Sequence, residues 1–70
     1  GVKQDYAKAV EYYTKAANQG NMYAQYNLGN CYNYGWCNII QNKAKAVEWY
    51  KKAAAQGYEK AKTALKNLGY

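Results

Sequence analysis

The stretch from Ala7 to Gly20 comes back from Ala44 to Gly57, with 11 of the 14 aligned pairs identical at a constant spacing of 37 residues. A fainter echo continues it: Ala24 falls on Ala61, Leu28 on Leu65, Asn30 on Asn67 and Cys31 on Leu68. A period in the thirties limits the fold more than composition does. Each unit is one supersecondary piece that cannot bury its apolar side alone, so the units must stack as a solenoid.

Inside each copy the apolar residues follow the helical period, as Tyr6, Ala9, Val10, Tyr13, Ala16 and Ala17 do in the first. Asp5 and Asn42 stand where N-caps belong, and Gly20 and Gly57 follow the last periodic residues, where a left-handed stop is needed. Glu11 precedes Lys15 by four residues and Glu48 precedes Lys52 likewise, which favours ion pairs along one helix face. The pattern predicts helices over about 6–19, 22–34, 43–56 and 58–68. The links at Gly20 and Gly57 are short enough to force antiparallel hairpins. The expected fold class is therefore all-α: an α-solenoid of four helices in antiparallel hairpins, forming a single domain or fragment over residues 1–70.

Composition then removes whole classes of function. The chain has no His, Ser or Arg, so no Ser-His-Asp or Cys-His nucleophile can be assembled and the commonest general base is missing. Asp5, Glu11, Glu48 and Glu59, with two cysteines, are too few and too scattered for a self-contained metal site. The expectation is a non-enzymatic chain without metal or cofactor. No apolar run approaches the roughly 20 residues that span a bilayer, so no membrane partner is expected. The chain opens at Gly1 and carries one methionine, Met22, so its ends say nothing of the compartment. It reads either as a piece of a longer adaptor or as a self-associating unit, natural or engineered.

The run Asp5-Tyr6-Ala7-Lys8-Ala9-Val10-Glu11-Tyr12-Tyr13, then Lys15-Ala16-Ala17, Gln19-Gly20, Ala24, Leu28-Gly29, Tyr32 and Gly35 resembles the Sel-one-like repeat family, a relative of the tetratricopeptide repeats. The resemblance covers nearly the whole chain in two phases. It implies a right-handed α-solenoid whose members act as scaffolds and adaptors, with a concave face that takes a partner, and it implies no catalysis. Two departures stand out. The loop Gly35–Asn42 is one residue longer than the family pattern and lacks its second glycine. Lys66 occupies the place of Gly29 in the last helix, where close helix crossing depends on a missing side chain.

On a helical wheel of residues 22–34, Ala24, Leu28, Cys31 and Gly35 form the packing stripe. Tyr26, Asn30 and Asn33 point the other way, with Tyr23, Asn27 and Tyr34 on one flank. Lys60, Thr63 and Asn67 are the matching set on the last helix. The candidate concave-face residues are thus Tyr23, Tyr26, Asn27, Asn30, Asn33, Lys60, Thr63 and Asn67. Tyrosine offers a large rigid contact at low entropic cost and asparagine offers a peptide backbone both donor and acceptor. The plainer reading, which the Tyr- and Asn-rich composition favours, is that these residues simply form a solvated face.

Charge is lopsided. Residues 1–35 carry +1 and residues 36–70 carry +5, with ten lysines and no arginine overall. The partner suggested is a protein or peptide; the lysines read first as a solvated face and second as a match for an acidic peptide. Nucleic acid is disfavoured because arginine, the residue suited to bidentate phosphate contacts, is missing. Cys31 falls on the apolar stripe and Cys37 in the loop; a Cys31–Cys37 disulfide is conceivable in an oxidising compartment. Trp36 and Ile40 in that loop are candidates for a contact site, unless the loop folds back and buries them.

Overall fold

In a computed structural model, the backbone is described for residues 2–70 and the side chains from Lys8 onward. Four helices follow one another: α1 (Val2–Asn18), α2 (Met22–Tyr34), α3 (Lys43–Ala55) and α4 (Glu59–Asn67). Among the described residues there is no strand, and the chain measures 36 × 23 × 15 Å.

Helix ends obey local chemistry at most of the expected places. Gly20 and Gly57 have φ of +95° and +92°. At each, two backbone N–H groups turn back to the last helical turn: Gly20 to Ala17 and Asn21 to Ala16, and Gly57 to Ala54 and Tyr58 to Ala53. This is the two-bond stop that a left-handed residue permits, and a side chain at either position would strain it. Asn42 caps α3 by accepting from the Lys45 N–H at 3.2 Å, and Asn21 caps α2 through the Ala24 N–H at 3.0 Å.

Three expectations need correction. α1 begins at Val2 rather than near Tyr6, so Asp5 lies inside the helix and is no N-cap. A cap needs a non-helical backbone, and no glycine or proline stands in residues 2–5 to break the helix there. The side chains of Val2, Asp5 and Tyr6, and all of Gly1, lie outside the described residues. Second, the ion pair among the described residues is Glu59–Lys62, at 3.4 Å, and not Glu48–Lys52 or Glu11–Lys15. Lys52 instead lies 4.5 Å above the Trp49 ring, which a desolvated aromatic face favours over an exposed carboxylate.

Third, α2 is covered on two sides. Ala24, Leu28 and Cys31 are buried as expected, and Ala17, Ala24 and Leu28 form a cluster closed by Tyr13, Ala16, Tyr32 and Trp49. A second buried set, Gln25, Gly29 and Asn33, is also enclosed. The most extensive helix packing is α2 on α3, across the long loop, and not within the two hairpins closed by the short links. Its centre is Tyr50, fully buried, whose ring lies against Gly29: a methyl there would stand 2.5 Å from Cε1. Tyr50 Oη donates to Asn30 Oδ1 at 2.5 Å. Gln25 donates to the Ala17 carbonyl at 3.1 Å and accepts from Gln56, which also donates to the Gly20 carbonyl at 2.8 Å. Among the described residues no buried side-chain nitrogen or oxygen lacks a partner.

Candidate functional site

α2 and α4 flank an open cleft of about 340 Å³. Its α2 wall is Tyr26, Asn30, Asn33 and Tyr34. Gln41 and Lys43 close one side, and α4 contributes Lys60, Thr63, Ala64, Asn67 and Leu68. Six of the eight candidate groove residues therefore line one space: Tyr26, Asn30, Asn33, Lys60, Thr63 and Asn67. Tyr23 and Asn27 lie outside it. Tyr23 is exposed and meets Tyr58 edge-on, 5.2 Å between ring centres, while Asn27 is half-buried.

The α2 wall is not a set of free side chains. Tyr26 packs on Tyr50 and Tyr58, with centroids 5.8 and 5.3 Å apart. Asn30 is engaged by Tyr50, and Asn33 is buried with its carbonyl accepting from Gln41 Nε2 at 2.7 Å. These residues shape the floor. Lys60, Thr63 and Asn67 on α4, with Tyr34, Gln41 and Lys43, are exposed and offer the reachable groups. Gln41 belongs to a loop that helical periodicity does not index, and Lys43 opens α3, so a wheel of α2 or α4 could not have placed either here. Leu68 stands at the position of Cys31 in the repeat, on the packing stripe, so the repeat pointed away from the cleft for it.

Burial raises two groups. The Tyr50 phenol is pushed up to about 12, by burial above all, with the Asn33 amide pulling the other way. The Cys31 thiol is likewise pushed up to about 12, by burial and then by the neighbouring Cys37 thiol that hydrogen-bonds to it. Both cysteines are free thiols here. A neutral phenol and a neutral thiol in these places belong to the core, not to proton transfer.

The loop does not bury its apolar residues. Trp36 is 55% and Ile40 89% exposed, while Ile39 is half-buried. Trp36 stacks on Tyr34, with ring centres 4.6 Å apart and planes 26° from parallel. Among the described residues, no helix is long and apolar enough to cross a membrane, and no group of three or more His, Cys, Asp or Glu side chains is gathered as metal ligands would be.

A family model of the Sel1 repeat matches residues 1–21 and again 23–58. The second match spans α2, the long loop and α3, the pair with the most extensive packing. No curated protein and no solved structure matches the chain. Sel1 repeats generally mediate protein–protein interaction. With two matches over most of its length and four helices in the order such repeats require, the chain belongs to the Sel1 repeat family.

Proposed function

We propose that the chain is a non-catalytic interaction module that takes a segment of a protein partner, acidic in character, in the cleft between α2 and α4. The observation that carries this reading is the cleft's lining. It combines aromatic surface, amide and hydroxyl donors, and two lysines, Lys43 and Lys60, with no carboxylate among its residues. Complementary charge of that kind selects partners and speeds encounter. The rest of the positive charge is less concentrated: Lys45, Lys51 and Lys52 lie over the rings of Tyr32, Tyr70 and Trp49. That dispersal argues against a phosphate-tracking stripe.

Testing it requires variants that spare the floor. Tyr26 and Asn30 support Tyr50, so their removal would confuse binding with stability. Lys43→Glu with Lys60→Glu changes exposed side chains only. Peptides of twelve residues selected from a random display library against the parent chain should bind this double variant at least about tenfold more weakly, at unchanged helicity. Equal affinity for parent and variant would place binding elsewhere.

A second reading is assembly through the repeat ends. Ala46, Tyr50 and Ala53 on α3 are 0% exposed, while their copies on α1, Ala9, Tyr13 and Ala16, are half-exposed. A second copy could cover that face through α4. Against this stands Lys66, which occupies the position of Gly29 and would meet Tyr13 where Tyr50 meets bare backbone. The ends are therefore not complementary in the α2–α3 manner, and partner binding is the preferred reading.

A further inference from the structure

Next to the cleft stands an apolar ledge that its lysines and amides do not explain. Tyr34, Trp36 and Ile40 are 57%, 55% and 89% exposed, three large apolar side chains within seven residues of a charged, lysine-rich surface. The loop that carries them is held firmly. The Trp36 N–H donates to the Cys31 carbonyl at 2.9 Å, the Ile39 N–H to the Trp36 carbonyl at 3.0 Å, and the Asn42 N–H to the Tyr32 carbonyl at 2.8 Å. Gln41 ties it to the α2 end through Asn33. Between these ties, Cys37 and Asn38 both adopt φ of +60°, a left-handed conformation that non-glycine residues rarely take and that persists only when the surroundings impose it. A loop that merely joined two helices could be polar and relaxed. This one spends conformational strain to hold a stacked Tyr34–Trp36 pair in water.

Tyr34 belongs to both features, lining the cleft and stacking on Trp36. Ile40 is followed directly by Gln41, another cleft residue, and then within two residues by Lys43. The ledge thus shares Tyr34 with the cleft and adjoins its Gln41 and Lys43 along the chain. Resting on the cleft reading, we propose that the Tyr34–Trp36–Ile40 ledge is the anchor for one bulky apolar side chain of the same partner segment whose carboxylates face Lys43 and Lys60. The recognised segment is composite: an acidic stretch with a Trp, Phe or Leu at one end. Rigid aromatic groups that are already ordered before binding lose little entropy, and interface energy concentrates on such anchors while the charged contacts set register and encounter rate.

Three synthetic, fluorescein-labelled peptides of twelve residues test this by fluorescence polarisation: one alternating Glu and Gly with Trp near each end, one with both Trp replaced by Gly, and one with every Glu replaced by Gln. The parent chain should bind the first at least about tenfold more tightly than the second. In Trp36→Ala with Ile40→Ser that advantage should vanish, while affinity for the second peptide stays within about twofold. Ile40→Ser alone, at a side chain almost wholly in water, should reduce the advantage in part and guards against a fold lost with Trp36; circular dichroism checks both variants. If the two acidic peptides bind equally, or if the Trp advantage survives both variants, the ledge is no anchor and the cleft reading stands without it. If neither acidic peptide binds better than the Gln peptide, the acidic cleft reading fails and the composite segment fails with it.

Discussion

Gly29 is the residue whose missing side chain leaves room for the buried Tyr50 ring. Alanine is the better helix former by about 1 kcal/mol, so on propensity alone Gly29→Ala should stabilise α2. The Tyr50 ring decides otherwise. It is fully buried, bonded through its hydroxyl to Asn30 and flanked by Tyr26, so it cannot swing away from a methyl placed 2.5 Å from it. Overpacking of that kind costs roughly 1–3 kcal/mol. Thermal melts should therefore show Gly29→Ala less stable than the parent; an unchanged or higher midpoint would mean that the ring has room. The same ring carries a pH signature. Its phenol is raised from 10.0 to about 12 in the folded state, so the folded protein keeps the proton over a range in which the unfolded chain loses it. The contribution is intact below about pH 10 and falls away as pH rises towards 12, by up to about 1.4 kcal/mol per unit for one group. Denaturant midpoints measured at pH 9 and pH 11 should drop more for the parent than for Tyr50→Phe. Equal drops would assign the alkaline loss to the other tyrosines.

At the scale of elements, the ends of the helices matter more than their middles. α3 is held at its start by Asn42, whose side chain takes the Lys45 N–H, and at its end by the Gly57 turn. α4 has no such side-chain cap: Tyr58 stands at the N-cap without a side-chain bond. Asn42→Ala should therefore cost about 1 kcal/mol, as loss of an N-cap does, or a fall of roughly 4–8 °C in a domain of this size. A melt within 1 °C of the parent, on this scale of about 1 kcal/mol per cap, would show that backbone tying through the Asn42 N–H and the Tyr32 carbonyl holds the helix start without help. Helix class, number and most boundaries were legible from the spacing of Ala, Val and Tyr and from the two glycine stops. The start of α1 was not, because Asp5 occupies the place of Asn42 in the repeat while nothing before it forces the chain out of helix. Two equivalent positions can thus be a cap in one copy and helix interior in the other.

The whole molecule has one helix at each end with a side that its neighbours do not cover. On α1 that side is the copy of the most buried face of α3, and on α4 the equivalent close approach is obstructed by Lys66. Sedimentation equilibrium over a hundredfold concentration range, with circular dichroism on the same samples, separates the two readings. A helical monomer throughout is the expected outcome, since the ends do not match. Helicity that rises with association would instead favour assembly as the main activity and set the cleft aside. The repeat period, the family and the all-helical class follow from the amino-acid sequence by itself, because identity at a fixed spacing and a 3.6-residue apolar period are properties of the chain read in one dimension. Which candidate residues share a cleft was decided in three dimensions. A wheel sorts residues by angle about one axis, and Tyr26, Asn30, Asn33, Lys60, Thr63 and Asn67, sorted that way, line one cleft. It could not know that α3 would claim Asn30 through Tyr50, that Tyr23 and Asn27 would fall outside, or that an irregular loop and the start of α3 would bring Gln41, the Trp36 ledge and Lys43 to the rim. Those outcomes depend on the angle and distance at which whole helices cross, which are set by packing between residues far apart in sequence.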